Sequence, residues 1–175
     1  MRTGIALALA SLGLAATAAA QDKGAALVAD MKALHDNTKG NIIKAAEKMP
    51  EEHYSFKPSD DVRSFGQIIG HVADAQYGLC GRAGSLERPA GGGIEKTKTA
   101  KADLVAALKE AITACDGVYA SLTDAQAMER VKFFGGERSK LAVLSFNTTH
   151  NYEHYGNLVT YMRIKGLVPP SSEGR

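Results

Sequence analysis

The chain has 175 residues, two cysteines and a formal net charge of +2. That length points to one domain able to bury a sizeable core. A charge so near neutral gives no electrostatic reason to expect nucleic acid or an anionic membrane as partner. Two cysteines with no paired Cys-x-x-Cys spacing exclude a zinc-finger architecture.

Taken in order, the chain begins with Met1-Arg2, an almost wholly apolar run from Ile5 to Ala16, and Ala18-Ala19-Ala20 before Gln21. This is the form of a secretory signal peptide over 1–20, and the run is too short for a transmembrane helix. The expected location is therefore periplasmic or secreted, with no membrane span in the mature chain. Removing the leader takes away Arg2 and no acid, one unit off the formal +2.

A first helix is expected from about Asp22 to Met49, with Leu27, Met31, Leu34, Thr38, Ile42, Ala45 and Met49 as its apolar stripe, ended by Pro50. His35 lies off that stripe and is read as a surface residue. The following segment carries His53, Tyr54, Phe56 and Pro58, whose aromatics would pin it to the core and whose His53 is a candidate pocket residue.

A second helix should start at Ser64, where Ser64-Phe65-Gly66-Gln67 has the capping-box form, and run to about Arg82. The glycines at 91–93 have no preceding strand and no following Lys-Ser/Thr, so they read as a surface connection, not a phosphate cradle. A third helix is expected from Thr99 or Lys101, with Leu104, Leu108, Ile112, Cys115, Tyr119 and Leu122 inward. In the loop after it, Val131 to Gly136 could form a short turn of strand or a flap.

The fourth helix should run from Ser139 to about Lys165, closed by Gly166 and blocked by Pro169-Pro170. Beside its core stripe of Leu141, Leu144, Thr148, Tyr155, Leu158 and Met162 lies a mostly polar row: Val143, Asn147, His150, His154, Asn157 and Tyr161. Four helices with loops of uneven length make an all-α protein, a four-helix bundle over 21–170, with a disordered tail at 171–175. Cys80 and Cys115 both fall in helices, either as a disulfide, which an oxidising compartment allows, or as two buried thiols.

His150 and His154 stand one turn apart on one helix face, about 5–6 Å between Cβ atoms, a spacing that can grip one divalent ion. His71, on the second helix among apolar neighbours, is the candidate third ligand. Three neutral imidazoles leave such an ion with an open position, where bound water can reach a pKa of about 7. Asp74, Asn147 and Asn157 are candidates to hold the ligands' second ring nitrogens. Glu153 completes an H-x-x-E-H pattern: it is either a general base or a solvated acid paired with a nearby cation.

The order and spacing of Phe65-Gly66-Gln67-Ile68-Ile69-Gly70-His71-Val72-Ala73-Asp74, of Tyr54-Ser55-Phe56-Lys57-Pro58, and of His150-Asn151-Tyr152-Glu153-His154-Tyr155-Gly156-Asn157-Leu158 resemble the DinB-like (YfiT-like) four-helix bundle proteins. Asn157 stands where that family frequently has Gln. The resemblance implies an up-down-down-up path, a zinc or nickel ion on His71, His150 and His154, often a homodimer, and activities spanning thiol-dependent transfer, isomerisation and hydrolysis.

The expected function is a metal-dependent, hydrolase-like enzyme acting on a small-molecule substrate. The alternatives are a metal-binding or interaction protein without turnover, or a thiol-dependent transferase. Low-molecular-weight thiols are mainly cytoplasmic, and export therefore favours water as cosubstrate. Replacing both His150 and His154 by Ala should abolish stoichiometric metal by elemental analysis while helical content, read by circular dichroism, stays largely intact. Full metal content in that variant would remove the site.

Overall fold

The computed structural model describes residues 11–174, with side chains from residue 27 onward. The first ten residues of the expected leader lie outside the described residues, as do all its side chains. Four long helices form the body: α1 (Ser11–Lys48), α2 (Phe65–Ala83), α4 (Lys101–Ser121) and α6 (Lys140–Ile164). Two one-turn helices, α3 (Ile94–Thr97) and α5 (Asp124–Ala127), and a hairpin of β1 (Arg130–Phe133) and β2 (Gly136–Ser139) fill the connections.

Around the bundle the order is α1, α6, α2, α4. Helices α1 and α6 run the same way, since Met31 meets Thr148 near one end and Lys48 meets Glu173, just beyond α6, at the other. Helix α2 runs against α6: the Arg63 carbonyl, just before α2, accepts from the Tyr161 hydroxyl at 2.8 Å, and Cys80 near its end faces Asn147. Helix α4 is parallel to α2, with Leu104 beside Gly66 and Val118 beside Gly84. The path is up-down-down-up, which places α2 and α6 side by side and antiparallel.

Local signals set the helix ends. Ser64 Oγ accepts from the Gln67 N–H while Gln67 Oε1 accepts from the Ser64 N–H at 2.8 Å, the reciprocal pair expected from the sequence. At the end of α6, Gly166 adopts φ +74°, the Leu167 N–H donates to the Met162 carbonyl and the Gly166 N–H to Arg163, a Schellman closure. The hairpin turn places Phe134 at φ 43° and Gly135 at φ 76°, a two-residue turn with both residues left-handed, which suits strand twist. This resolves the choice between a turn of strand and a flap: the segment is a paired hairpin.

Three expectations are corrected. The tail is docked rather than disordered as far as Glu173, with Arg175 outside the described residues: Pro170–Ser172 forms a 3-10 turn, the Ser171 N–H donates to the Tyr155 hydroxyl at 2.9 Å, and Glu173 pairs with Lys48. Consecutive prolines preset the backbone for that turn, and polar partners on α1 and α6 hold it. The upper part of the α1 stripe is shifted by one position, with Leu27 and Leu34 half exposed while Val28 and His35 are buried. His35 is therefore a core residue and not a surface one. Its ring stacks on Tyr119 with centroids 4.5 Å apart, a contact that Leu34 has no equivalent for.

The core has two parts. Ile42, Phe65, Ile69, Leu108, Leu158 and Met162 belong to the larger, with Tyr54 donating its hydroxyl to the Ala46 carbonyl to lock the α1–α2 connection down. Around Tyr119, Leu144 and Val118 lies a smaller one, where Cys80 and Cys115, Cα atoms 5.4 Å apart, join α2 to α4 as a disulfide. Between α2 and α6 runs a buried polar layer: Asn147 donates to Gln76 at 2.9 Å, and Gln76 donates to Asn151 at 2.8 Å.

Neither ring nitrogen of His35 has a hydrogen-bond partner, because Asp116 Oδ1, 3.4 Å from Nε2, lies off line. Burial, opposed by Asp116 and aided by Lys39, lowers its pKa from 6.5 to about 4. The folded state thus holds a neutral ring while the unfolded chain takes a proton below about pH 6.5. Stability should be full above that pH and decline as pH falls toward 4. In chelator-treated protein, wild type should lose on the order of 3 kcal/mol more than His35→Phe over that window in urea titrations. Parallel curves for the two proteins would contradict this.

Candidate metal centre

The i, i+4 spacing on α6 stacks His150 over His154, and the antiparallel neighbour α2 brings His71 across to them. His150 Nε2 lies 3.1 Å from His71 Nε2 and 3.1 Å from His154 Nε2. One ligand atom from each residue falls within 4.8 Å of the others. A tetrahedral ion about 2.0–2.1 Å from each nitrogen needs separations near ~3.3 Å, so the arrangement fits a three-histidine centre.

The protonation pattern strengthens that fit. His71 Nδ1 is 3.1 Å from Glu95 Oε2, so this nitrogen carries the hydrogen and Nε2 presents a lone pair. Asn157 Nδ2 lies 3.4 Å from His154 Nδ1, and turning that amide over would let its carbonyl accept from the ring nitrogen and leave Nε2 bare for an ion. Burial, then the neighbouring His150 and His71, pushes His154 down to about 3; burial, then His71, also lowers His150. Burial thus favours the neutral forms of His150 and His154, and the one N–H that His150 can direct at its 3.1 Å neighbours leaves lone pairs converging. A divalent cation relieves them directly.

Glu95 is the residue that sequence reasoning missed. It comes from α3, a single turn hidden inside the glycine-rich connection. Asp74, expected to support His71 directly, acts one step back: its carboxylate accepts from the Ile94 and Glu95 backbone N–H groups at 2.9 and 3.0 Å and so positions α3. Gly70 makes the approach possible, since a Cβ there would sit 2.6 Å from Glu95 Cα. Glu95 Oε1 also accepts from Arg63 Nε at 2.8 Å, which completes a chain Arg63–Glu95–His71.

The other candidates separate. Asn147, expected beside a ligand, instead belongs to the Gln76 layer and contacts both disulfide sulfurs. His150 Nδ1 is buried with no partner. Glu153 is exposed and lines an open cleft of about 590 Å³ together with His154, Asn157, Tyr161, Arg63 and Glu95. His53 sits in the 3-10 turn Glu51–His53 and is not part of that cleft. On the far side of His150, the ring of Phe146 lies 6.4 Å away and carries Phe133 and Phe134 of the hairpin against it.

Glu95→Ala should weaken metal affinity by about 10–100-fold, read by competition with a chromophoric chelator, because His71 loses the acceptor that fixes its tautomer and orientation. Asp74→Ala should move affinity in the same direction by releasing α3. Wild-type affinity in both variants would show that α3 has no part in the centre.

No curated protein matches the chain. Among solved structures it is similar to a DinB-like protein from Bacillus cereus ATCC 10987, with a TM-score of 0.67 and 18% identity over 76% of this chain and 89% of that one. It is also similar to the DinB-like protein YjoA from Bacillus subtilis, with a TM-score of 0.63 and 23% identity over 78% of this chain and 93% of that one. These likenesses show the fold. The family model of the DinB superfamily matches residues 34–158, well over half of the chain and all three histidines, and the chain belongs to that superfamily.

Proposed function

We propose that the protein is an exported metal-dependent hydrolase acting on a small molecule. The observation that carries this reading is the convergence of three ring nitrogens, from His71, His150 and His154, with His154 on the wall of an open cleft. His71, His150 and His154 would hold a zinc or nickel ion, both suited to imidazole donors. Such an ion, when bound, supplies Lewis acidity and acidifies a coordinated water.

The chain's own residues supply the rest. Glu95 and Asn157 fix two of the three rings, which keeps the donor set in place through turnover. We assign to Glu153, on the cleft wall one residue before His154, the transfer of a proton from attacking water to the leaving group. The cleft is open enough to admit both water and a substrate.

Export is supported by the leader-like 1–20 segment, and the disulfide between α2 and α4 suits an oxidising compartment. Among the described residues no helix is long and apolar enough to cross a membrane. An oxidising compartment is also poor in the low-molecular-weight thiols that a thiol-dependent transferase would consume.

Protein reconstituted with zinc or nickel should turn over members of a panel of esters, amides and phosphate esters, and chelation should abolish this. Glu153→Gln should lower kcat by about 10²-fold or more with metal content unchanged. Stoichiometric metal with no turnover across the panel would leave a metal-binding protein without catalysis.

A further inference from the structure

Arg63 occupies an unusual place in the cleft. Its backbone is fixed by the 2.8 Å bond from the Tyr161 hydroxyl to its carbonyl and by Ser64, the cap of α2, directly after it. Its side chain is fixed at Nε by Glu95. Both terminal nitrogens have no hydrogen-bond partner among the described residues, and the side chain is 44% exposed on the same cleft wall as His154 and Asn157. A guanidinium clamped at Nε presents its far edge as two parallel N–H donors, the geometry that matches a carboxylate.

The neighbouring charges sharpen the choice of ligand. Lys57, the other cation of the cleft, is already paired with Asp60 at 3.0 Å. Asp61 and Glu153 add carboxylates to the lining. A polyanion such as a nucleotide or polyphosphate would be repelled by these acids, whereas one carboxylate docked on Arg63 meets a matched partner.

We propose that Arg63 is the specificity residue of the cleft, and that the substrate is a small monocarboxylate whose carboxylate docks on the free edge of the guanidinium while its neutral reacting group lies toward the histidines. This rests on the metal-centre reading for the orientation of the substrate, not for the carboxylate site itself. The Nε bond to Glu95 serves a second purpose, since it holds the fork still and lowers the entropy lost on binding.

Two measurements test this separately from the metal. In the zinc-loaded protein, hydroxamates bearing a carboxylate tail of two to four methylenes are compared by calorimetry with the same compounds carrying a neutral amide tail. Wild type should prefer a carboxylate tail by about tenfold or more, a ratio that falls toward one in Arg63→Gln and is only partly kept in Arg63→Lys. Metal content is measured in every sample. In the metal-free protein, butyrate should shift the NMR signals of Glu95 and Asn157 in wild type but not in Arg63→Gln. No tail preference in zinc-loaded wild type, or the same preference in Arg63→Gln, overturns the proposal while the metal reading stands. If wild type holds no stoichiometric metal, the metal reading falls, and the butyrate titration alone decides the arginine: loss of the shifts in Arg63→Gln supports it, and equal or absent shifts overturn it.

Discussion

His150 Nε2 lies 3.1 Å from the Nε2 atoms of both His71 and His154, and the single N–H that a neutral His150 can offer there satisfies only one of them, whereas a divalent ion takes a lone pair from all three. Glu95 lies 3.1 Å from the outer nitrogen of His71 and Asn157 3.4 Å from that of His154, which holds both rings in orientation, and burial disfavours the protonated form of His154. The bundle thus keeps three ring nitrogens in an arrangement that could hold a divalent ion. Much of the surrounding structure can be understood as enforcing it.

The up-down-down-up path is the first enforcement. It makes α2 and α6 antiparallel neighbours, so that one histidine from the start of α2 meets a pair from the middle of α6. Below the histidines, the Gln76–Asn147–Asn151 layer favours one register of the same two helices, because a slip of one turn would break both of its buried hydrogen bonds. The disulfide below that layer ties α2 to α4 rather than to α6, which leaves the histidine-bearing interface held by packing and hydrogen bonds alone. Above the histidines, α3 presses onto Gly70 and brings Glu95, and through it Arg63, to the rim of the cleft.

Sequence reached the features that depend on spacing along one element. The His150/His154 step, the Ser64 capping box and the Gly166 closure are each decided within a few residues, and each could be read directly. His71 was legible as a polar residue on an otherwise apolar helix face. Beyond that range the signal thinned. Glu95 follows three glycines with no periodic pattern, and its importance depends on Gly70 admitting another backbone, a fact of tertiary contact. His35 was misplaced because the α1 stripe can be drawn one position either way, and only the presence of Tyr119 on a different helix decides it. Arg63 was invisible for a similar reason: an arginine in a loop gains meaning only when a carboxylate pins one edge and a cleft receives the other.

The most direct measurement of the central claim is a crystal structure of the zinc-loaded protein with anomalous data collected on either side of the zinc edge. The account predicts a single strong peak within about 2.0–2.1 Å of a ring nitrogen from each of His71, His150 and His154, with at least one coordination position open to the cleft. No peak there at full zinc loading, or a peak elsewhere on the surface while the three rings stay in contact, would contradict it.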